Sequence, residues 1–388
     1  MCGNLLYSST NVQNSLGPRL FRWCEKKFKE EQEDEVESES ILSEVFRLEE
    51  KGDKDLTEQL QIMSCKLIMA FNTLTSLQKN ALKLSVSNIT NFNCTQYSDK
   101  YARYLNLAQY KKLTELKAPK IISQEEEEEV KRYFEDAKQA VFEKGEGVQI
   151  SVSEGAKQQI AYICVMMKNK YTEWQPFLSS DSEEDDESSV ASKRKRKRKA
   201  GLDKSSIVQV VKELLNAVFG DTLLRWRSGE QITEATKRMG KQNECAATPT
   251  TTAIRNLMGR RSDLVAYNEK KVPVCISEVK DGKSSYSSMT QESKNIRCTK
   301  SPQVYNALAG GSDSTSGYMY YLKEFEGIDV VLPGKRLKLP IRVKETDELE
   351  VTLVAIYELK AFIKEYSSQL LDQLTAAEKA TQVYHSPK

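Results

Sequence analysis

Two apolar runs joined by a short charged turn constrain the fold of this 388-residue chain more than any other feature. They lie between Gly259 and Lys280, in the sequence GRRSDLVAYNEKKVPVCISEVK. Side chains alternate along a strand, and here both alternating sets are apolar. A hairpin that is apolar on both faces belongs inside a covered sheet. The sequence therefore predicts a buried β-hairpin within an α/β domain.

A symmetric turn centred between Lys270 and Lys271 brings one acid of each strand opposite the other. It gives three facing pairs on one side of the sheet: Tyr267 with Val274, Val265 with Ile276, and Asp263 with Glu278. Facing Cβ atoms lie about 5 Å apart, and like charges at that distance are destabilising. Either Lys280 or a divalent metal ion neutralises the pair, and oxygen ligands suit Mg²⁺ or Mn²⁺. A one-residue bulge would turn Asp263 to the opposite face.

These residues resemble the PD-(D/E)XK nuclease superfamily, whose members cut nucleic acid with Mg²⁺ on a mixed sheet flanked by helices. The resemblance rests on Asp263, the fifteen-residue step to Glu278, and the triplet Glu278-Val279-Lys280. The stretches GRRSDL, SEVK and QESKNIR are similar to expanded, uncharacterised nuclease-like families of mucoralean fungi. The resemblance covers roughly residues 205–360. Ser262 stands where the motif has proline, a departure that the superfamily commonly tolerates.

The resemblance implies a role for each motif residue. Asp263, Glu278 and the carbonyl of Val279 would hold the metal ion. Lys280 would orient or deprotonate the attacking water and stabilise charge on the phosphoryl oxygens. The similar triplet Glu358-Leu359-Lys360 follows another apolar run and is a minor rival.

The resemblance also implies an upstream acid and phosphate contacts. Glu230 and Glu213 compete as the acid, and Glu230 is preferred. Four side chains are candidates for contacting nucleic acid: Gln291, Lys294, Arg260 and Arg261. The alternatives for them are an ordinary solvated helix face and a charged strand entry.

Abrupt changes in composition divide the chain. We expect a polar and acidic tail over 1–40, a helical domain of unknown role over 41–175, and a charged linker over 176–204. A PD-(D/E)XK-like domain over 205–375 and a C-terminal tail over 376–388 follow. The fold class predicted is α/β, with a restriction-endonuclease-like mixed sheet flanked by helices after a mainly α-helical N-terminal region.

Hydrophobic periodicity predicts the elements of the second half. Helices are expected over Ser205 to Phe219 and over Leu359 to Leu374. The stretch from Ser284 to Leu308 is expected to be helical as far as Pro302. Strands are expected over Tyr318 to Phe325, Ile328 to Leu332, Arg336 to Val343 and Leu349 to Tyr357.

The linker carries an acidic block, SSDSEEDDESS, followed by seven consecutive basic residues: Lys193, Arg194, Lys195, Arg196, Lys197, Arg198 and Lys199. Such a run is typical of segments that nuclear import receptors recognise, so the expected location is the nucleus. It could also contact phosphates, or simply be neutralised by the acidic block. Phosphorylation among the acids would strengthen that pairing.

Composition excludes several function classes. His385 is the single histidine, which excludes histidine-based triads and histidine-rich metal sites. The eight cysteines show no metal-ligand spacing and are expected to be reduced intracellular thiols. No apolar segment is long enough for a membrane span or a secretory signal. A formal net charge of +2 gives no global field toward nucleic acid, so any basic surface is local.

The sequence thus favours a Mg²⁺- or Mn²⁺-dependent phosphodiesterase acting on DNA in the nucleus. The alternative is a noncatalytic nuclear protein that uses a nuclease-like domain to bind nucleic acid or partners. A third possibility, a helical scaffold with an unrelated α/β domain, needs the hairpin acids to point into solvent. The sequence gives no oligomeric state.

Overall fold

A computed structural model describes residues 15–30, 35–91, 105–118, 120–145, 155–178, 204–232, 261–271, 273–278, 306–310 and 316–385. The chain forms two compact units. Unit 1 comprises Met1–Pro119, Ser284–Ala307 and Met319–Gly334. Unit 2 comprises Lys120–Lys283, Leu308–Tyr318 and Lys335–Lys388. The protein is mixed α/β with a helical N-terminal region, as the sequence predicts at that level.

The helices are α1 (Leu16–Lys29), α2 (Glu35–Glu50), α3 (Leu56–Met69), α4 (Ser76–Ser85), α5 (Leu107–Glu115), α6 (Gln124–Lys138), α7 (Ala156–Leu178), α8 (Lys204–Val218) and α9 (Glu348–His385). The strands are β1 (Ile89–Asn91), β2 (Arg225–Ile232), β3 (Arg261–Tyr267), β4 (Pro273–Glu278), β5 (Asn306–Gly310), β6 (Ser316–Phe325) and β7 (Ile328–Lys338).

Unit 1 combines helices from the start of the chain with strands from near its end. Asp55 caps α3 through a reciprocal capping box with Glu58. β1 runs parallel to the part of β7 that begins at Asp329. Gly334 on β7 lies so close to β6 that a Cβ atom there would come within 2.8 Å of Met319 Cβ. A side chain at that position would therefore clash with the neighbouring strand.

Two helices form where a polar tail is expected over 1–40. In α1 the buried side chains recur at threes and fours: Leu16, Leu20, Trp23 and Cys24. The acidic α2 is held by ion pairs from α1, since Glu37 lies 3.3 Å from Arg22 and 3.7 Å from Lys26. Partners from another helix thus stabilise an acidic stretch that composition alone suggests cannot fold.

Unit 2 is built on the antiparallel strands β2, β3 and β4, with β3 in the middle and β2 at the end of the strand order. Helix α8 begins and ends within one residue of its predicted span and packs on β2 and β3. Helix α7 packs against α8, and α6 packs against α7 and α9. The helices therefore cover the strands as the apolar hairpin requires.

Two element predictions need correction. Leu349 to Tyr357 is not a strand but the first part of α9. Every side chain from Thr352 to Leu359 is buried, and periodicity cannot tell such a run from a buried strand. The strands expected at 328–332 and 336–343 are the single strand β7. The helix expected from Ser284 as far as Pro302 lies outside the described residues, and strand β5 follows at Asn306–Gly310.

The unit boundaries differ from the expected division at 176–204. Helices α6 and α7 belong to the same unit as the hairpin, because α7 buries one side against α6 and another against α8. Residues 179–203 lie outside the described residues. Within the described part of the chain, none of the helices is both long and apolar enough to cross a bilayer.

Candidate functional site

The register of the hairpin confirms the predicted pairing at its centre. The observed pairs are Leu264 with Ser277, Val265 with Ile276, and Ala266 with Cys275. The prediction fails beside the turn, where Tyr267 pairs with Pro273 rather than with Val274. An irregularity between Ala266 and Tyr267 causes this shift. It lies at the turn end of β3 and leaves the register toward Asp263 unchanged.

One further step along this register places Asp263 and Glu278 at facing backbone positions of β3 and β4. Asp263 is 8% exposed, so its carboxyl group is largely removed from water. Leu264 and Val265, on opposite faces, are both fully buried, which confirms that the hairpin is covered on both sides. The side chain of Glu278 lies outside the described residues.

Strand β2 carries a bulge beside Asp263. Ser228 pairs with Leu264 and Gln231 pairs with Ser262, so Gly229 and Glu230 together lie opposite Asp263. Two residues of one strand that lie opposite a single residue of the next strand form a β-bulge. Bulges are over-represented next to active sites. Glu230 is therefore adjacent to Asp263 in the backbone, although its side chain lies outside the described residues.

The structure separates Glu213 from this position. Helix α8 covers the other face of the sheet, where Lys212 Nζ donates a hydrogen bond to Ser228 Oγ at 3.1 Å. Ser228 shares its face with its partner Leu264, whereas the neighbouring Asp263 lies on the opposite face. Glu213, on the same helix, accepts a hydrogen bond from Gln209 at 2.7 Å.

The charged residues of the rival triplet Glu358-Leu359-Lys360 form ion pairs with residues outside it. Glu358 is 7% exposed and its carboxylate lies 3.3 Å from Lys335 Nζ. Lys360 pairs instead with Asp221 at 2.7 Å. Residues two apart on a helix do not share a face. Glu358 and Lys360 therefore serve two separate ion pairs that tie α9 to its neighbours.

Several predicted site residues lie outside the described residues: Arg260, Val279, Lys280, Gln291, Lys294 and the basic run 193–199. For Arg261 only the backbone, at the start of β3, is described. Among the described side chains, no group of three or more His, Cys, Asp or Glu lies close enough to hold a metal ion. The carboxylates of Glu230 and Glu278 are not among the described side chains.

Three buried cysteines of the described part of the chain are poorly suited to nucleophilic chemistry. Burial raises the pKa of the Cys65 thiol to about 11 and that of Cys164 to about 12. Burial also raises the pKa of Cys275, which lies on β4 itself. Since the thiolate is the nucleophilic form, these three groups are poor nucleophiles at neutral pH.

Sequence reasoning missed an arginine on β2. Arg227 is exposed, and its guanidinium carbon lies 5.3 Å from the ring centroid of Tyr267. The signal was the alternation in Arg225-Trp226-Arg227, which puts one buried aromatic between two outward cations.

No protein-family model, curated protein or solved structure matches the chain.

Proposed function

We propose that β2, β3 and β4 carry the centre of a metal-dependent phosphodiesterase that acts on DNA, in a domain of the restriction-endonuclease-like kind. One observation supports it above the others. The observed pairs Ser228–Leu264, Gln231–Ser262 and Leu264–Ser277, extended by one residue, would bring Glu230, Asp263 and Glu278 into one row across three adjacent strands. Acids directly opposite one another destabilise a sheet unless a cation lies between them.

The donor set fits a hard divalent cation. The three carboxylates offer oxygen ligands, which suit Mg²⁺ or Mn²⁺, and the chain has no histidine near the site in sequence. A bound Mg²⁺ would polarise a phosphoryl oxygen and lower the pKa of a water. The fit rests on donor chemistry and register position.

Other residues of the chain complete the proposed site. Lys280, two residues after Glu278, would orient the attacking water and stabilise charge on the phosphate. Gln291 and Lys294, together with Arg260 and Arg261, would contact phosphate beside the site. The acid on β2 is Glu230 rather than Glu213, because α8 lies on the other face of the sheet.

The enzyme proposal is tested with plasmid and single-stranded DNA in the presence of Mg²⁺ or Mn²⁺. We expect metal-dependent loss of substrate with the wild type and a loss of activity of about a hundredfold or more in Glu278→Ala and Lys280→Ala. Glu230→Gln should cleave DNA more slowly than the wild type. Its matched control, Glu213→Gln, should retain activity because that acid serves only a helix-surface hydrogen bond.

The result also separates the enzyme from a noncatalytic binding protein. Equal substrate loss in the wild type and in Glu278→Ala would indicate a contaminating nuclease and defeat the proposal. DNA binding without any metal-dependent cleavage would favour the noncatalytic alternative. Circular dichroism of each variant controls for misfolding.

We further propose that the basic run 193–199 directs the protein to the nucleus through an import receptor. The support is the run itself, seven consecutive cations beside an acidic block. A fluorescent fusion with this run replaced by Gly and Ser should lose nuclear accumulation. An unchanged distribution would remove the proposal without affecting the enzymatic one.

A further inference from the structure

An arginine on the end strand of unit 2 lies beside the row of acids. Arg227 pairs with Val265, and Asp263 is the next residue of β3 on the same face. Such diagonal neighbours in an antiparallel pair have their Cα atoms about 7–8 Å apart, within reach of a long side chain. A cation is thus placed one position along from the proposed metal site.

The guanidinium of Arg227 is held by an aromatic ring. Tyr267, on the same face of β3 as Val265 and Asp263, presents its ring at 5.3 Å from the guanidinium carbon. A cation over a ring face is attracted by the ring quadrupole, and the planar guanidinium can lie against it. The contact limits the conformations of Arg227 without using any of its hydrogen-bond donors.

The N–H donors of the Arg227 guanidinium form no hydrogen bond with the part of the chain that the structure describes. The nearby Arg225 differs, since its Nη1 donates to the carbonyls of Thr222 at 3.4 Å and Leu224 at 3.1 Å. Arg227 is exposed, and β2 ends the order of the described strands, so its guanidinium is accessible to a ligand. Five N–H donors in a rigid fork match the two oxygens of a phosphate.

We propose that Arg227, held against Tyr267, binds a backbone phosphate of the nucleic acid next to the phosphate that reacts at the acid row. This inference rests on the proposed function for the position of the nucleic acid. The contact carries no sequence information, because phosphates are the same at every base. The competing explanation is structural: a charged side chain on an edge strand opposes strand-to-strand association, and its ring contact stabilises the pair.

The test is a salt titration of duplex DNA binding without metal, followed by fluorescence anisotropy. Arg227→Ala should weaken binding several-fold and reduce the slope of log K against log salt by about 1, since one phosphate contact is lost. Arg227→Lys should keep the slope and weaken binding, because the charge remains and the bidentate fork does not. Arg342→Ala removes another exposed arginine, one outside β2–β4, and should change neither the affinity for DNA nor the salt slope.

Two results would overturn the inference: a wild type that does not bind DNA, or an Arg227→Ala protein that folds and keeps the wild-type slope. If thermal melting shows that Arg227→Ala is unfolded, Arg227→Lys decides, and wild-type affinity in that variant contradicts the proposal. Cleavage is measured separately with Mg²⁺. A protein that never cleaves DNA but shows the Arg227-dependent slope would refute the enzymatic proposal and support this contact.

Discussion

The surroundings of two carboxylates of unit 2 shift their pKa values in opposite directions. Glu127 on α6 accepts hydrogen bonds from Lys131 and Lys335, which lower its pKa. Its oxygens lie 2.9 Å and 3.1 Å from the two ammonium groups. Burial raises the pKa of Glu350 on α9, against the opposing effect of Lys131. The charged form of Glu127 is thus favoured by folding, and that of Glu350 is disfavoured.

These shifts predict stability changes of opposite sign. Glu127→Gln should lower the free energy of unfolding at neutral pH, and the difference should disappear as pH falls through the lowered pKa. Glu350→Gln should raise the free energy of unfolding at neutral pH, and that gain should disappear once acid protonates the half-buried carboxyl group. Urea unfolding at about pH 7, about pH 4 and about pH 2 measures both effects, since the lowered pKa of Glu127 requires the most acidic condition. Glu128→Gln, an exposed acid on α6, is the control; differences independent of pH would contradict the electrostatic cause.

The residue types of the site could be predicted more fully than its geometry. Asp263, Glu278 and their facing register follow from alternation and a turn centre, both of which are local in sequence. The bulge at Gly229 and Glu230 could not be predicted, because polar RSGEQI shows no alternation of a buried strand. The role of Arg227 depends on Tyr267, forty residues away, and so needs the strand order.

At the scale of elements, the first part of α9 offers a discriminating substitution. Val351 is 53% exposed on the helix surface. In an exposed helical position, Val351→Ala should stabilise the protein by about 0.5 kcal/mol, because valine loses side-chain freedom in a helix. In the strand that the sequence pattern suggests, the same change should destabilise it. Equilibrium urea unfolding decides, and a decrease in stability would contradict the helix.

The two kinds of element differ in how well the sequence predicts them. Helix α8 has one apolar stripe and a polar remainder, so its period is visible, and its span was predicted within one residue. The sequence from Thr352 to Leu359 is mostly apolar, and every one of its side chains is buried, so the apolar residues do not mark one face of the helix. A run without a polar face has no readable period, and only its continuation to His385 identifies it as a helix.

For the whole molecule, the structure predicts that neither half of the chain folds completely alone. Unit 1 joins β1 to β7, and Thr57 Oγ1 donates to Gly327 O at 3.4 Å. Unit 2 joins α7 to α9, where Tyr357 donates to Gln159 Oε1 at 2.9 Å. Each unit therefore contains residues from both sides of the charged linker, which sequence composition alone could not predict.

A chain cut at residue 190 tests this arrangement. We expect fragments 1–190 and 191–388 to co-purify when expressed together, because each unit needs strands or helices from both. Expressed alone, each should lack a cooperative thermal transition. Two fragments that melt cooperatively on their own and do not associate would support instead the two-domain division expected at 176–204.

The central claim is that carboxylates from adjacent strands converge on one divalent ion. Calorimetric titration with Mn²⁺ in the absence of DNA measures this directly. We predict one site in the wild type, an affinity roughly tenfold lower or worse in Asp263→Asn and in Glu278→Gln, and unchanged binding in Glu213→Gln. A wild type that binds no Mn²⁺, or four proteins that bind it equally, would contradict the account.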